Sequence, residues 1–339
     1  LQPLDAGESI DVGGYTGDYA LPQAETLDHL NGFGRLTIGR ADGRNQITIG
    51  GRTTTTFRRG TTVRTSQGGS ITVAKHGLAG DGADLTLSAP KGTITLDGNA
   101  ALGGGGALRV DGSVVIGAPE VVKVSAPRGS IVFAGAIDDD GTPSTLELKA
   151  RGNVTLGFVG VASPKGLGGL HIVEARDVNL DGRVRAGFVR QDVGLGTTTV
   201  RQGIDTQGAG TTVKLKAVGI VLDGGVRAPG QTVELSATRD GLSGEGGIVA
   251  DQLLLKGSGF FNVQGSTTAV SVLAANVAGR LDLASNRHDL TVGGVLGVNG
   301  IQTGGRDLSL RVQGALTIGG TILAGPGRII LGADSIREA

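Results

Sequence analysis

One short phrase recurs along this chain and limits what it can fold into. The runs LTLSAPKGTITLDG at 85–98 and VKVSAPRGSIVFAG at 122–135 share a plan: an alternating strand, a turn on Ala and Gly, a second alternating strand and a Gly-containing bend. Looser copies begin at Leu146 (LELKARGNVTLG), Ile172 (IVEARDVNLDG), Val213 (VKLKAVGIVLDG) and Leu308 (LSLRVQGALTIGG). The starts at 122, 146 and 172 imply a unit of about 22–26 residues, and a period in that range marks a solenoid. The jumps from 85 to 122 and from 172 to 213 are wider and leave room for an extra, degenerate unit. In a solenoid each unit buries its apolar edge only by stacking on its neighbours, so one elongated body is expected rather than several globules.

Alternation sets the faces. In Leu85-Thr-Leu-Ser, Leu85 and Leu87 point one way while Thr86 and Ser88 point the other; Ile94 and Leu96 oppose Thr95 and Asp97 in the same manner. Strands this short, with one apolar face, make walls of a hollow prism. Asp-Gly pairs at 97–98, 111–112, 181–182 and 223–224 follow strands and read as corners, where Gly supplies φ > 0 without steric cost. The 64 glycines are thus turn punctuation, without the strict third-residue period of collagen. Helical periodicity is missing apart from a turn at 24–30. About 13 to 15 coils at the ~4.8 Å strand spacing would give a stack roughly 60–75 Å long.

Three segments differ in texture. Residues 1–34, which hold Tyr15, Tyr19, Pro3 and Pro22, read as an irregular connector or cap, with a tyrosine binding surface as the alternative. Residues 35–247 carry the two-strand repeats, and residues 248–339 read as continuing coils of a second subtype. The chain begins at Leu1 and contains no Met, so a processed product or an interior piece of a longer polypeptide is expected.

Composition narrows the function classes. Thirty-one basic and thirty-one acidic residues leave no global field for nucleic acid, and 3% aromatic content offers few stacking platforms for bases. With no cysteine, disulfides and thiolate metal sites are excluded. No run approaches the ~18 apolar residues of a membrane helix.

The phrase LNGFGRLTIGRADG at 30–43, with ITIG at 47–50 and GSITV at 69–73, resembles the repeats of very large bacterial filamentous-haemagglutinin-like exoproteins. ADQLLLKGSGF at 250–260, VLAANVAG at 272–279 and VNGIQTGGRDLSL at 298–310 are similar to the same group, so the resemblance covers roughly residues 27–336. It implies an all-β, right-handed parallel β-helix, exported through an outer-membrane partner by two-partner secretion. Such chains form extracellular, cell-surface fibres used in adhesion or biofilm matrix building. The family's secretion domain, with its Asn-Pro-Asn-type motifs, has no counterpart in this sequence, and no Arg-Gly-Asp triplet occurs.

Candidate chemistry is sparse. Asp138, Asp139 and Asp140 form the longest acidic loop, read either as a Ca²⁺ loop or as a solvated turn. His29, His76, His171 and His288 are scattered without metal-ligand spacing. The glycine run 103–106 lacks the Lys-Ser/Thr of a phosphate loop. Asn153-Val-Thr155 matches a glycosylation sequon, and Arg58 with Arg59 and Arg183 with Arg185 are patches that either contact acidic glycans or solvate a wall. No catalytic residue and no cofactor are expected. The reading is a non-catalytic structural rod of a bacterial fibre or adhesin. Its partners would be neighbouring coils, end-to-end copies, host or matrix glycans and the secretion partner. A self-assembling filament subunit and a carbohydrate-binding or carbohydrate-cleaving β-helix are the alternatives.

Overall fold

The computed structural model describes residues 1–30, 33–117, 120–286 and 289–339. Its elements are strands of 2 to 18 residues, with one 3-10 turn among the described residues, at Leu27–His29, where the sequence indicated a turn. The strands pair in parallel, coil upon coil, so the fold is a parallel β-helix. Contacts divide the chain into two compact units, Leu1–Arg176 and Asp177–Ala339.

The first unit has three walls. On the first, Ile38, Val63, Leu87, Val110, Phe133 and Leu156 lie in register and are all buried, one above another. On the second, Ile10, Ile47, Ile71, Ile94, Val114 and Ile137 do the same. The third stacks Thr55, Leu78, Ala100, Val124, Leu148 and Ile172. Alternation builds these ladders, because a one-residue slip would turn every apolar side chain to solvent. Coils on the first wall repeat every 23 to 25 residues.

This register corrects the extra unit expected between 85 and 122; between 172 and 213 one is present, because Val189–Gly194 forms the coil before Val213. Leu85 stands on the first wall, but Val122 pairs with Leu146 on the third. The jump from 85 to 122 is therefore one coil plus two walls, with nothing degenerate in between. The Ala-Pro-Lys/Arg-Gly phrase is corner chemistry, and either corner can use it. In one copy the corner lies inside the unbroken strand Leu85–Leu96; in the other it separates Val121–Ala126 from Ile131–Phe133.

The corner glycines also need a different account. Among the Asp-Gly pairs, Gly112 has φ +145°, but Gly98 and Gly224 do not fall in the left-handed region. At Gly98 a Cβ would overlap the carbonyl oxygen of Ala74 in the coil before it. Close approach of stacked backbones, rather than backbone sign, demands glycine there.

The N-terminal segment takes part in the stack. Ile10–Val12 pairs with the strand at 46–49, and Tyr19–Leu21 lies along its other edge.

In the second unit one ladder runs Val178, Thr198, Ile220, Leu242, Phe261, Leu281, Leu308 and Ile329. A second runs Val189, Val213, Val233, Leu253, Leu273 and Val292. Residues 248–339 thus continue as coils. One departure interrupts them: after Val292 the chain leaves the wall and rejoins it at Ile301, which pairs with Ala275. Between them Gly294–Val295 and Val298–Asn299 form an antiparallel hairpin. Leu296 and Gly297 make its two-residue turn with φ +46° and +82°, the signs of a type I′ turn.

Candidate functional site

The outward faces of the walls carry the polar chemistry, and most of it is used between adjacent coils. Lys123, Glu147 and His171 are stacked in register, with Lys123 Nζ 3.4 Å and His171 Nδ1 3.5 Å from the Glu147 carboxylate. Arg183 reaches Asp205 at 3.1 Å and Arg201 reaches Asp181 at 2.8 Å. Thr37, Thr62 and Thr86 form an outward hydroxyl row on the first wall, and Thr48, Thr72 and Thr95 form one on the second. The faces assigned from alternation hold: Leu87 is 1% exposed while Thr86 is half-buried on the outside.

The aspartates singled out in the sequence do not converge. Asp138 Oδ1 accepts from the backbone N–H groups of Ala162 and Ser163 at 2.9 and 3.3 Å. Asp139 accepts from Gly141 N–H and Asp140 from Thr142 N–H, each inside its own turn. Among the described residues no group of three or more His, Cys, Asp or Glu is placed to hold a metal ion. The loop does act on its neighbour: burial, and then the Asp140 charge, raise the Asp97 carboxyl above its ordinary value.

His29 and His76 are exposed and His171 stands beside the Glu147 carboxylate, whereas His288 lies outside the described residues. The 103–106 run is a turn whose Gly105 and Gly106 N–H groups both donate to Gly103 O, which turns them inward upon the loop itself. Asn153 is half-buried with its amide oxygen shut away from solvent, a poor presentation for a glycan acceptor. Arg58 stands 3.5 Å from Asp28, and Arg59 donates to Phe33 O at 3.2 Å, so both tie the N-terminal segment down. Tyr15 is exposed beneath the Arg52 guanidinium, 5.9 Å from its ring centre. Tyr19 is half-buried in its strand.

The second unit holds a concavity that the sequence did not single out. The hairpin folds back over the outside of its wall and sets Val295 on Leu254 and Ala274, whose side chains point outward yet are fully buried. Below its tip lies a cavity of about 500 Å³, with Phe188, Arg190, Thr211, Lys214, Glu234 and Leu296 among its lining residues. Arg190, Lys214, Glu234 and Leu254 succeed one another up the wall in register. Glu234 is 7% exposed and is held by two ammonium groups, Lys214 at 3.3 Å and Lys256 at 3.2 Å. The sequence signal for the hairpin is the near-mirror run Gly294-Val-Leu-Gly-Val-Asn299, strand residues about a two-residue turn. It was hidden because glycine marks every corner of this chain.

Comparison with protein-family models, with curated proteins and with solved structures gives no match to this chain.

Proposed function

We propose that this chain is a structural, non-catalytic segment of a bacterial extracellular fibre or adhesin, displayed at the cell surface. It would supply reach and stiffness and spread weak contacts over its walls. The observation that carries this reading is the coil-to-coil continuity within each unit. Six-membered apolar ladders run through the first unit, and an eight-membered one, apolar but for Thr198, runs through the second. Ion pairs such as Lys123–Glu147 and Arg183–Asp205 bridge successive coils on the outside. Each exposed pair is worth little energy, about 0–1 kcal/mol, but together they favour one register and oppose sliding. That is the property of a spacer, whose work is mechanical. Labelling of intact cells with an antibody to this chain, together with removal by added protease, tests the reading. Labelling before lysis and loss of surface attachment after shaving are expected. A chain reached only after lysis would overturn it.

A further inference from the structure

We propose that the cavity under the hairpin tip is a binding site for a small amphipathic carboxylate. Three independent features meet there. The first is volume: about 500 Å³ falls within the usual range for small-ligand sites, roughly 300–1,000 Å³. The second is charge. One buried carboxylate, Glu234, faces two ammonium groups, so the cluster keeps one uncompensated positive charge. Lys214 lines this cavity and Lys256 does not. The surplus charge therefore faces the cavity through Lys214. Arg190, beside it, is balanced by Asp192. A cationic ligand would have to displace two lysines from Glu234; an anionic one would complete the cluster.

The third feature is the hairpin tip. Leu296 is the one non-glycine residue with positive φ among the described residues, and it is 52% exposed. Asn or Gly would sit in that turn position with less strain, and an exposed leucine gains nothing from water. A strained apolar side chain held over a cavity is explained by what it covers. Leu296 and Phe188 supply apolar jaws on the lining, Lys214 the anion partner and Thr211 a hydroxyl. The ligand that fits has an apolar body between Leu296 and Phe188 and a carboxylate at its end. It can be a free acid or the carboxylate end of a peptide.

Titration of the full chain by calorimetry or ligand-observed NMR tests this. Phenylacetate is the probe, phenylacetamide its uncharged counterpart, and N-acetylphenylalanine the stand-in for a peptide end. Saturable phenylacetate binding is expected, with the amide and the Lys214→Gln variant weaker by about tenfold or more, as for a lost charged hydrogen bond. Lys214→Gln leaves Glu234 paired with Lys256, so the fold is kept. Leu296→Asn suits the turn, removes only the apolar jaw and should weaken binding as well. Tighter binding of N-acetylphenylalanine than of phenylacetate assigns the site to a peptide end; the reverse assigns it to a free acid. Equal affinity for acid and amide, no saturation with either acid, or binding indifferent to both substitutions would overturn the proposal. Replacing the exposed Lys91, a residue of the first unit, by Gln should leave binding unchanged, and equal loss there would also count against the site.

Discussion

Leu87 tests the ladder most directly. It is 1% exposed and lies in register between Val63 and Val110, both fully buried. Leu87→Ala removes three heavy atoms from a column whose spacing is fixed by backbone hydrogen bonds at ~4.8 Å per coil, so the walls cannot close over the gap. The cost should fall in the upper part of the range for buried Leu→Ala, about 3–5 kcal/mol. Thr86→Ala, one residue away on the half-buried outer face, should cost less than about 1 kcal/mol. The loss should also be local, because each coil of a solenoid touches only its neighbours. Hydrogen exchange followed by mass spectrometry should show protection falling in Gly60–Arg64, Leu85–Leu96 and Leu108–Ile116. Leu308–Val312, in the other unit, should hold its protection. Equal damage from the two substitutions, or a uniform loss along the chain, would refute the stacked-ladder account.

Further outcomes follow from the same geometry. In Gly129→Ala the new Cβ would overlap Gly106 O of the previous coil and cost about 2 kcal/mol or more in urea unfolding, while Gly7→Ala, with open space around it, should change stability by less than about 0.5 kcal/mol. Asp97 has a raised pKa in the folded chain, so the folded state binds its proton more tightly than the unfolded state does. Its contribution to stability is therefore lost as pH rises from the ordinary value, 3.8, through the raised folded value. Asp97→Asn should gain in urea midpoint over the parent across that window, and a gain confined to lower pH would contradict the sign. Val295→Ser should loosen the hairpin by about 1–2 kcal/mol and raise exchange at Leu254 and Ala274, which it covers.

The sequence by itself determined the class of fold and the faces of its strands. Alternation is a local property: Leu85, Leu87, Ile94 and Leu96 must go inward together whatever surrounds them, and a recurring phrase of such strands has no way to bury that edge except by stacking. The walls were not legible in the same way. Which strand lies on which depends on residue counts summed around a whole coil, and corners carrying the same Ala-Pro-Lys/Arg-Gly chemistry look alike in sequence although Leu85 and Val122 stand on different walls. The candidate site is the extreme case. Lys214 and Glu234 are 20 residues apart and meet because a coil of that length places one above the other, while Lys256, two residues past Leu254 in the next coil, reaches Glu234 diagonally. Leu296 reaches that column because the strand that should continue the wall after Val292 turns out of it and folds back. Inward apolar pattern fixed the solenoid; coil length and one excursion from the wall decided where it has a pocket.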